Sequence, residues 1–396
     1  MEQKIRLNTV SKFDHCYGCG VCGAVCPHNA ISIKQNDYGF LEPLVNIEKC
    51  TGCSLCLKVC EFNAKEEQSF PLPLYAYAGW SVQEEIRDKS TTAGVIYELC
   101  ANYISQGYSI CAVRYNYELK RAEHFIFSSI DDLQFATGSK YLQSFTVDAI
   151  ASLDWVKGKY VIVGTPCMIS SMRRLSKLHD ADERIIYVDF FCHGIPSYQL
   201  WEKYERYVSS QIGEIRFFSW RNKVNGWQDS YVAKAKGSKG RYLSFLRDGD
   251  LFYRFFLGNK CLNECCYDDC IFKHTHSCAD IRVGDMWGDL PEYVDNRLGV
   301  NSILVFSEKG NVALKKCNKI FLAKEKLDAV LYGQIPKSPS RPRSFNYVRK
   351  ALREDISLVD ILKKSRRIER IGHYFRFAFY KVHMMRVLRK LGLTKR

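Results

Sequence analysis

CYGCGVCGAVCP at residues 16–27 and CTGCSLCLKVC at residues 50–60 decide how this chain is read. The first places Cys16, Cys19, Cys22 and Cys26 at the intervals C-x2-C-x2-C-x3-C, with Pro27 behind them; the second repeats the intervals with Cys50, Cys53, Cys56 and Cys60. Three thiolates on one tight, glycine-rich turn reach three irons of a [4Fe–4S] cubane. The fourth stands at the start of the next helix and, where two such runs share a domain, serves the other cluster. One cluster is therefore expected on Cys16, Cys19, Cys22 and Cys60, the other on Cys50, Cys53, Cys56 and Cys26. Gly18, Gly20, Gly23 and Gly52 free the backbone to wrap and to aim N–H groups at sulfur.

This spacing is that of two-cluster bacterial ferredoxins, so residues 1–68 are expected to form an α+β ferredoxin-like domain. Between the runs, AISIKQNDYGFLEPLV reads as a short hairpin turning near Asn36–Gly39. The second run has Glu61 where the first has Pro27, which bears on the local turn or the potential and removes no ligand. Zinc sites favour four ligands in two separated pairs, a poorer match. Gly18-x-Gly20-x-x-Gly23 imitates a dinucleotide fingerprint and Cys19-x-x-Cys22 a thioredoxin motif. The first lacks a preceding strand and the second its surrounding pattern, so both are rejected.

Composition agrees. The 396 residues are 46% hydrophobic and 26% charged, as in a globular protein of two or three domains. No run of about 18 apolar residues suggests a membrane span, and MEQKIRLNTV is too polar for a signal-peptide core. A cytoplasmic location is expected, where 18 cysteines serve as metal ligands or redox groups rather than disulfides. Of the net charge of +15, +13 lies from Arg341 onward, with 17 Lys and Arg against 4 Asp and Glu.

Beyond a linker, SFPLPLYAYAGW, residues 75–335 alternate apolar β-rich runs (108–115, 123–129, 160–166, 184–191 and 301–307) with amphipathic stretches in TAGVIYELCANYISQ, MISSMRRLSKL and SYQLWEKYERYVSS. That alternation predicts a larger α/β domain with a mostly buried sheet. Two strands run into a cysteine beside small residues, Cys167 and Cys192, and CLNECCYDDCIFKHTHSC adds Cys261, Cys265, Cys266, Cys270 and Cys278. Cys100, Cys111 and Cys317 stand alone in ordinary patterns and read as buried, inert thiols.

Ser90-Thr-Thr-Ala-Gly94, Gly138-Ser-Lys-Tyr141, Gly164-Thr-Pro-Cys167, Phe191-Cys-His-Gly194 and Gly284-Asp-Met-Trp-Gly288 occur in this order. Together they resemble the beta-subunit family of coenzyme F420 hydrogenases and dehydrogenases over about residues 75–310. Fused ferredoxin parts are also known in that family. The resemblance implies an iron–sulfur flavoprotein in which FAD exchanges electrons between clusters and a soluble carrier or substrate. It implies a third [4Fe–4S] cluster on Cys167, Cys192, Cys266 and Cys270. The family usually has two residues between the last pair where this chain has three, so Cys265 and Cys261 stay open as substitutes. By the same resemblance, Thr92, Ala93 and Gly94 are flavin contacts at a helix start, and Gly138, Ser139 and Lys140 offer N–H groups, a hydroxyl and a cation. A capped helix and a polar turn are the plainer readings of those segments. His193 is a candidate to line the flavin or move a proton, and Asp285 a candidate site or turn residue.

After QIPKSPSRPRS, residues 341–396 form a basic tail. Ile368, Ile371, Phe375, Ala378, Val382, Met385, Leu388 and Leu391 would make one stripe of a helix, with Arg370, Arg376, Lys381, Arg386, Arg389 and Lys390 around it. Such a helix suits an anionic membrane surface at the inner face, an acidic partner or its own domain; without a recognised module, nucleic acid is disfavoured. The function expected is oxidoreduction with a redox partner protein or carrier. The alternatives are an electron-transfer subunit of a larger complex, a redox role in surface-polysaccharide synthesis, and a non-catalytic iron–sulfur structural or regulatory protein.

Overall fold

The computed structural model describes residues 9–13, 15–64, 69–268, 270–288 and 296–381, with the backbone alone for Ala64, Asn296 and 371–381. In the N-terminal part, β1 (Ile31–Gln35) and β2 (Leu41–Val45) pair antiparallel, with Ile31 opposite Val45. Asn36 Oδ1 accepts from the N–H groups of Tyr38 (3.0 Å) and Phe40 (3.1 Å) and so closes the turn. The two cysteine runs adopt one backbone shape. Gly18 and Gly52 have φ of +69° and +71°; Gly20 and its counterpart Ser54 have +75° and +63°. Each then enters a short helix, Val21–Ala24 or Leu55–Lys58. Val10, Cys22, Ile31, Cys56 and Leu57 are buried together between the runs, with Cys26 and Cys60 against them.

The larger part is built on a nine-stranded mixed sheet. Its strands are β3 (Tyr75–Ser81), β4 (Ser109–Asn116), β5 (Arg121–Phe127), β6 (Ser144–Phe145), β7 (Tyr160–Val163), β8 (Ile185–Phe190), β12 (Ile281–Asp285), β13 (Asn301–Val305) and β14 (Ile320–Lys324), in the order β14-β3-β13-β12-β8-β7-β4-β5-β6. A separate antiparallel sheet holds β9 (Ile215–Ser219), β10 (Val232–Gly237) and β11 (Arg241–Phe245) in the order β11-β10-β9. In the large sheet β12, β8, β7 and β4 run parallel, and antiparallel pairs flank them. The central strands are covered on both faces, which is why β7, β8 and β13 are buried along nearly their whole length and read as mainly apolar.

Two details depart from the sequence reading. The second half of the supposed linker, from Tyr75, is an internal strand, β3, between β13 and β14. The 160–166 strand stops at Val163, and Pro166 takes the first position of the helix Pro166–Leu178, where its missing N–H costs nothing. The other two amphipathic stretches form helices Val95–Ile104 and Tyr198–Ile212. The C-terminal helix begins earlier than expected, at Leu358, and is described to Lys381; Val382, Met385, Leu388, Leu391 and the basic residues Arg386, Arg389 and Lys390 lie outside the described residues. Among the described residues no helix is long and apolar enough to cross a membrane.

Candidate metal centres and the adjoining cavity

All 18 cysteines are free thiols. Cys26, Cys50, Cys53 and Cys56 line one small cavity with Thr9, His28 and Ser54, so the crossed set expected for one cluster surrounds a common space. Cys53 is exposed, and this is the outer set. Cys16, Cys19, Cys22 and Cys60 form the inner set. Burial is the main cause that pushes the Cys16 and Cys22 thiols up, and their neighbours in the set raise them further. Cys60 rises to about 11, first through burial and then through Cys19. Thiolates crowded in this way repel one another in a low dielectric, and a cationic iron core removes that cost. Donors aimed at sulfur are present: Gly18 N–H lies 3.1 Å from Cys16 Sγ and Ala30 N–H 3.3 Å from Cys26 Sγ.

The larger part grips the inner run. Gln143 Nε2 donates to the Tyr17 carbonyl (2.9 Å), Thr146 Oγ1 to that of Cys19 (2.6 Å) and Asn263 Nδ2 to that of Cys16 (3.1 Å). Gln143 also holds the hairpin, accepting Leu41 N–H at 2.6 Å. None of these polar residues was singled out from sequence. The one available signal was that Gln143 stands two residues beyond the Gly138–Tyr141 motif and Asn263 two beyond Cys261.

A third gathering of cysteines lies at the carboxyl edge of the parallel strands, where open α/β sheets commonly hold ligands. Cys167 is in the first turn after β7, with Thr165 Oγ1 3.3 Å from its sulfur, and Cys192 follows β8. Burial comes first in raising Cys167, Cys192 and Cys266; after it, Cys167 feels Cys192 and Cys270, and Cys266 feels both as well. The four residues indicated by the resemblance thus sit together. Cys265 packs with Cys167, Cys270 and Tyr17 as well and also acts on Cys16, so it stands between this set and the inner one, whereas Cys261 is pushed up to about 12 by burial with no other candidate ligand acting on it. Lys273 Nζ donates to the carbonyls of Cys192 (2.7 Å) and His193 (3.1 Å), tying the 270–278 segment to the end of β8. Tyr17 is buried between the inner set and this one, stacked on Phe62 and edge-on to Phe272.

Against both sets opens a cavity of about 580 Å³, walled by Tyr17, Cys19, Cys192 and His193 on one side and by Ser90–Gly94 and Gly138–Gln143 on another. Thr92, Ala93, Gly94, Gly138, Ser139 and Lys140 all line it. Many of their donors are already used within the chain. Thr92 Oγ1 donates to Asp285, and the N–H groups of Ala93 and Val95 go to Asn301 Oδ1 at 3.3 and 3.4 Å. Ser139 N–H goes to Thr91 Oγ1 at 2.9 Å. Lys140 Nζ caps the carbonyls of Phe135, Ala136 and Thr137 at 2.8–3.2 Å, and burial lowers it to about 7. Gly138, at φ +85°, leaves open space where a Cβ would stand. His193 Nε2 is buried without a hydrogen-bond partner, and burial, then Lys273, lowers the imidazole. Asp285 joins the Arg221 guanidinium at 2.7 Å and the Trp227 indole N–H at 3.2 Å, so it is a fixed corner of the wall. A large, mainly apolar cavity with a few convergent polar atoms and an open glycine turn fits a flavin-sized ligand.

Comparison with known proteins places these sets in a family context. Residues 157–328 match the family described as the C-terminal part of the coenzyme F420 hydrogenase/dehydrogenase beta subunit, and residues 15–64 match a 4Fe-4S dicluster domain. No curated protein matches the chain. Among solved structures, a chain of the F420-reducing [NiFe] hydrogenase complex from Methanosarcina barkeri is 13% identical with a TM-score of 0.45, over 75% of this chain and 92% of that one. Over residues 15–64 the chain thus resembles an iron–sulfur dicluster domain, and over residues 157–328 the C-terminal part of the coenzyme F420 hydrogenase/dehydrogenase beta subunit.

Proposed function

We propose that this chain is an iron–sulfur flavoprotein oxidoreductase that relays electrons between [4Fe–4S] clusters and FAD, and so to or from a soluble carrier or substrate. The observation that carries the reading is a convergence. Cys19 of the inner set and Cys192 of the third set wall the same cavity, with Tyr17 between the two sets. FAD, when bound, exchanges electrons singly with clusters and in pairs with a substrate. The chain supplies position and burial. Gly138 leaves room for close approach, His193 lines the cavity with a buried Nε2 that has no hydrogen-bond partner, and Arg221 and Asp285 hold one wall rigid. Cys167, Cys192, Cys266 and Cys270 would hold the third cluster, beside the ligand they would serve.

Anaerobic purification with iron, sulfide and flavin counted together tests this. At four irons per cubane, about twelve irons and one flavin per chain are expected; about eight irons with flavin would leave the third set as plain thiols. Colourless, iron-free, natively folded protein would refute the reading. A second reading, an electron-transfer subunit with no substrate of its own, is favoured by the family's description as a beta subunit. Oxidation of a reduced carrier by the isolated chain would exclude it.

A further inference from the structure

The two ferredoxin-type runs share their cysteine intervals but differ behind the last cysteine: Pro27 follows Cys26, whereas Glu61 follows Cys60. Glu61 is 3% exposed, begins the short helix Glu61–Ala64, and belongs beside the inner set through Cys60. Its carboxylate accepts from Ser170 Oγ and lies 3.6 Å from Arg174 Nε, both on the helix that starts at Pro166. Ser171 of the same helix faces the Cys19 sulfur at 3.6 Å, so the carboxylate is held on the side of the set that faces the larger domain. Among the described residues that line the outer cavity there is no carboxylate, and Glu48, two residues before Cys50, is exposed. We propose that Glu61 is a fixed negative charge that holds the reduction potential of the inner cluster below that of the outer one.

The argument is electrostatic. Reduction adds one electron to a cluster whose ligands are already anionic. A carboxylate fixed nearby in a desolvated site disfavours that electron more strongly than it would in water. Arg174 offsets part of the charge, but its side chain is 29% exposed and so screened by water, whereas the carboxylate is buried. The carboxylate therefore acts at close range and its counter-charge at a discount. The outer cluster, near the surface and without such a neighbour, is the more readily reduced of the pair.

This rests on the reading that Cys16, Cys19, Cys22 and Cys60 bind one cluster. The test separates the two claims by measuring iron content and midpoint potential on the same samples. The full-length chain, prepared anaerobically, is titrated potentiometrically with the reduced clusters followed by electron paramagnetic resonance. A Cys53→Ala background removes the outer couple and identifies the inner one. Glu61→Gln keeps the size and the bond to Ser170 but removes the charge. It is expected to favour reduction of the inner cluster by about tenfold, which is 59 mV upward for a one-electron couple, with the outer couple unmoved. Glu61→Asp keeps the charge and should stay nearer to wild type. Arg174→Gln should move the inner couple the opposite way, and it decides the matter if the Gln variant fails to assemble. Normal iron with an unmoved inner potential in Glu61→Gln overturns the proposal and spares the cluster reading. So does an equal shift in Glu61→Asp, or a shift of the same sign in Arg174→Gln. Missing inner iron in the wild-type chain overturns the cluster reading itself.

Discussion

Arg282→Met should unfold the third cysteine set before the rest of the molecule. Arg282 on β12 pairs in register with Asp189 on β8, and neither side chain has exposed surface. The guanidinium donates twice to the carboxylate, Nε to Oδ1 and Nη2 to Oδ2, both at 2.7 Å, and a third time to the His274 carbonyl at 2.8 Å. Ser277 Oγ donates to the same carboxylate at 2.7 Å. Methionine would fill the volume but leave Asp189 as a buried charge supported by Ser277, a loss of about 3–5 kcal/mol. At roughly 2–4 °C per kcal/mol for chains of a few hundred residues, the apparent melting point should fall by roughly 6–20 °C. Because His274 and Ser277 lie between Cys270 and Cys278, the same change should release about four irons while the ferredoxin-type clusters stay. Asp189→Leu with Arg282→Met removes both charges and should recover most of the loss, since apolar replacement of a whole buried pair is often neutral. Anaerobic melting and iron counts on the two single variants and the double variant check this. A single variant that melts with wild type, or a double variant as damaged as the singles, would refute the reasoning.

Three further outcomes follow from the geometry. Cys270→Ser should lower the iron count by about four per chain, whereas Cys261→Ser should leave it near wild type, because only the first residue sits among Cys167, Cys192 and Cys266. Gly18→Ala would set a Cβ 2.3 Å from the Leu41 carbonyl at φ +69° and should abolish assembly of the inner set; Gly52→Ala, in open space at φ +71°, should cost only about 1–2 kcal/mol of left-handed strain, read by melting and iron content. His124 is buried, bonded to Ser144 Oγ at 2.8 Å and to the Val163 carbonyl at 3.1 Å, and burial lowers it to about 4. Its folded pKa lies below the unfolded value of about 6.5, so stability is full above that pH and falls by on the order of 3 kcal/mol as pH drops toward 4. A His124→Gln variant whose melting point falls just as steeply between pH 6.5 and 4 would show that other groups carry the acid sensitivity.

Legibility followed the physics of each segment. The cysteine runs could be read because a cubane dictates ligand intervals, and the parallel strands because burial on both faces forces mainly apolar sequence. β3 was hidden by Pro71 and Pro73 just upstream and by small alanines between its tyrosines, which look like linker. β12 was hidden by Arg282, whose charge is tolerated inside only because Asp189 waits on the neighbouring strand. β10 carries Lys234 and Lys236 and gives no apolar run to read. At the site, motifs located the segments but not the aim of individual atoms. Cys265 and Cys266 are adjacent in one tight turn, capped by Asn263 Oδ1 accepting Cys265 N–H at 3.0 Å, and the intervals alone do not say which of them neighbours Cys192. Lys140, beside a glycine turn, reads as an anion ligand, yet its ammonium is spent on three carbonyls of its own chain.

The two ferredoxin-type sites begin as near copies and end as different environments, and the difference comes from outside the repeat. Carbonyls of the first run are held by Gln143, Thr146 and Asn263, and Thr146 Oγ1 would lie 2.2 Å from a Cβ on Gly20. The matching turn of the second run has open space at Gly52 and an exposed Cys53. Backbone held from three directions changes little when charge is added, which lowers the reorganisation that electron transfer requires. A turn at the surface is instead free to meet a partner. With the inner set against Tyr17, the third set behind it and the cavity touching both, the proposed function would have electrons pass from the exposed second run, through the fixed first run, to the edge of the parallel sheet.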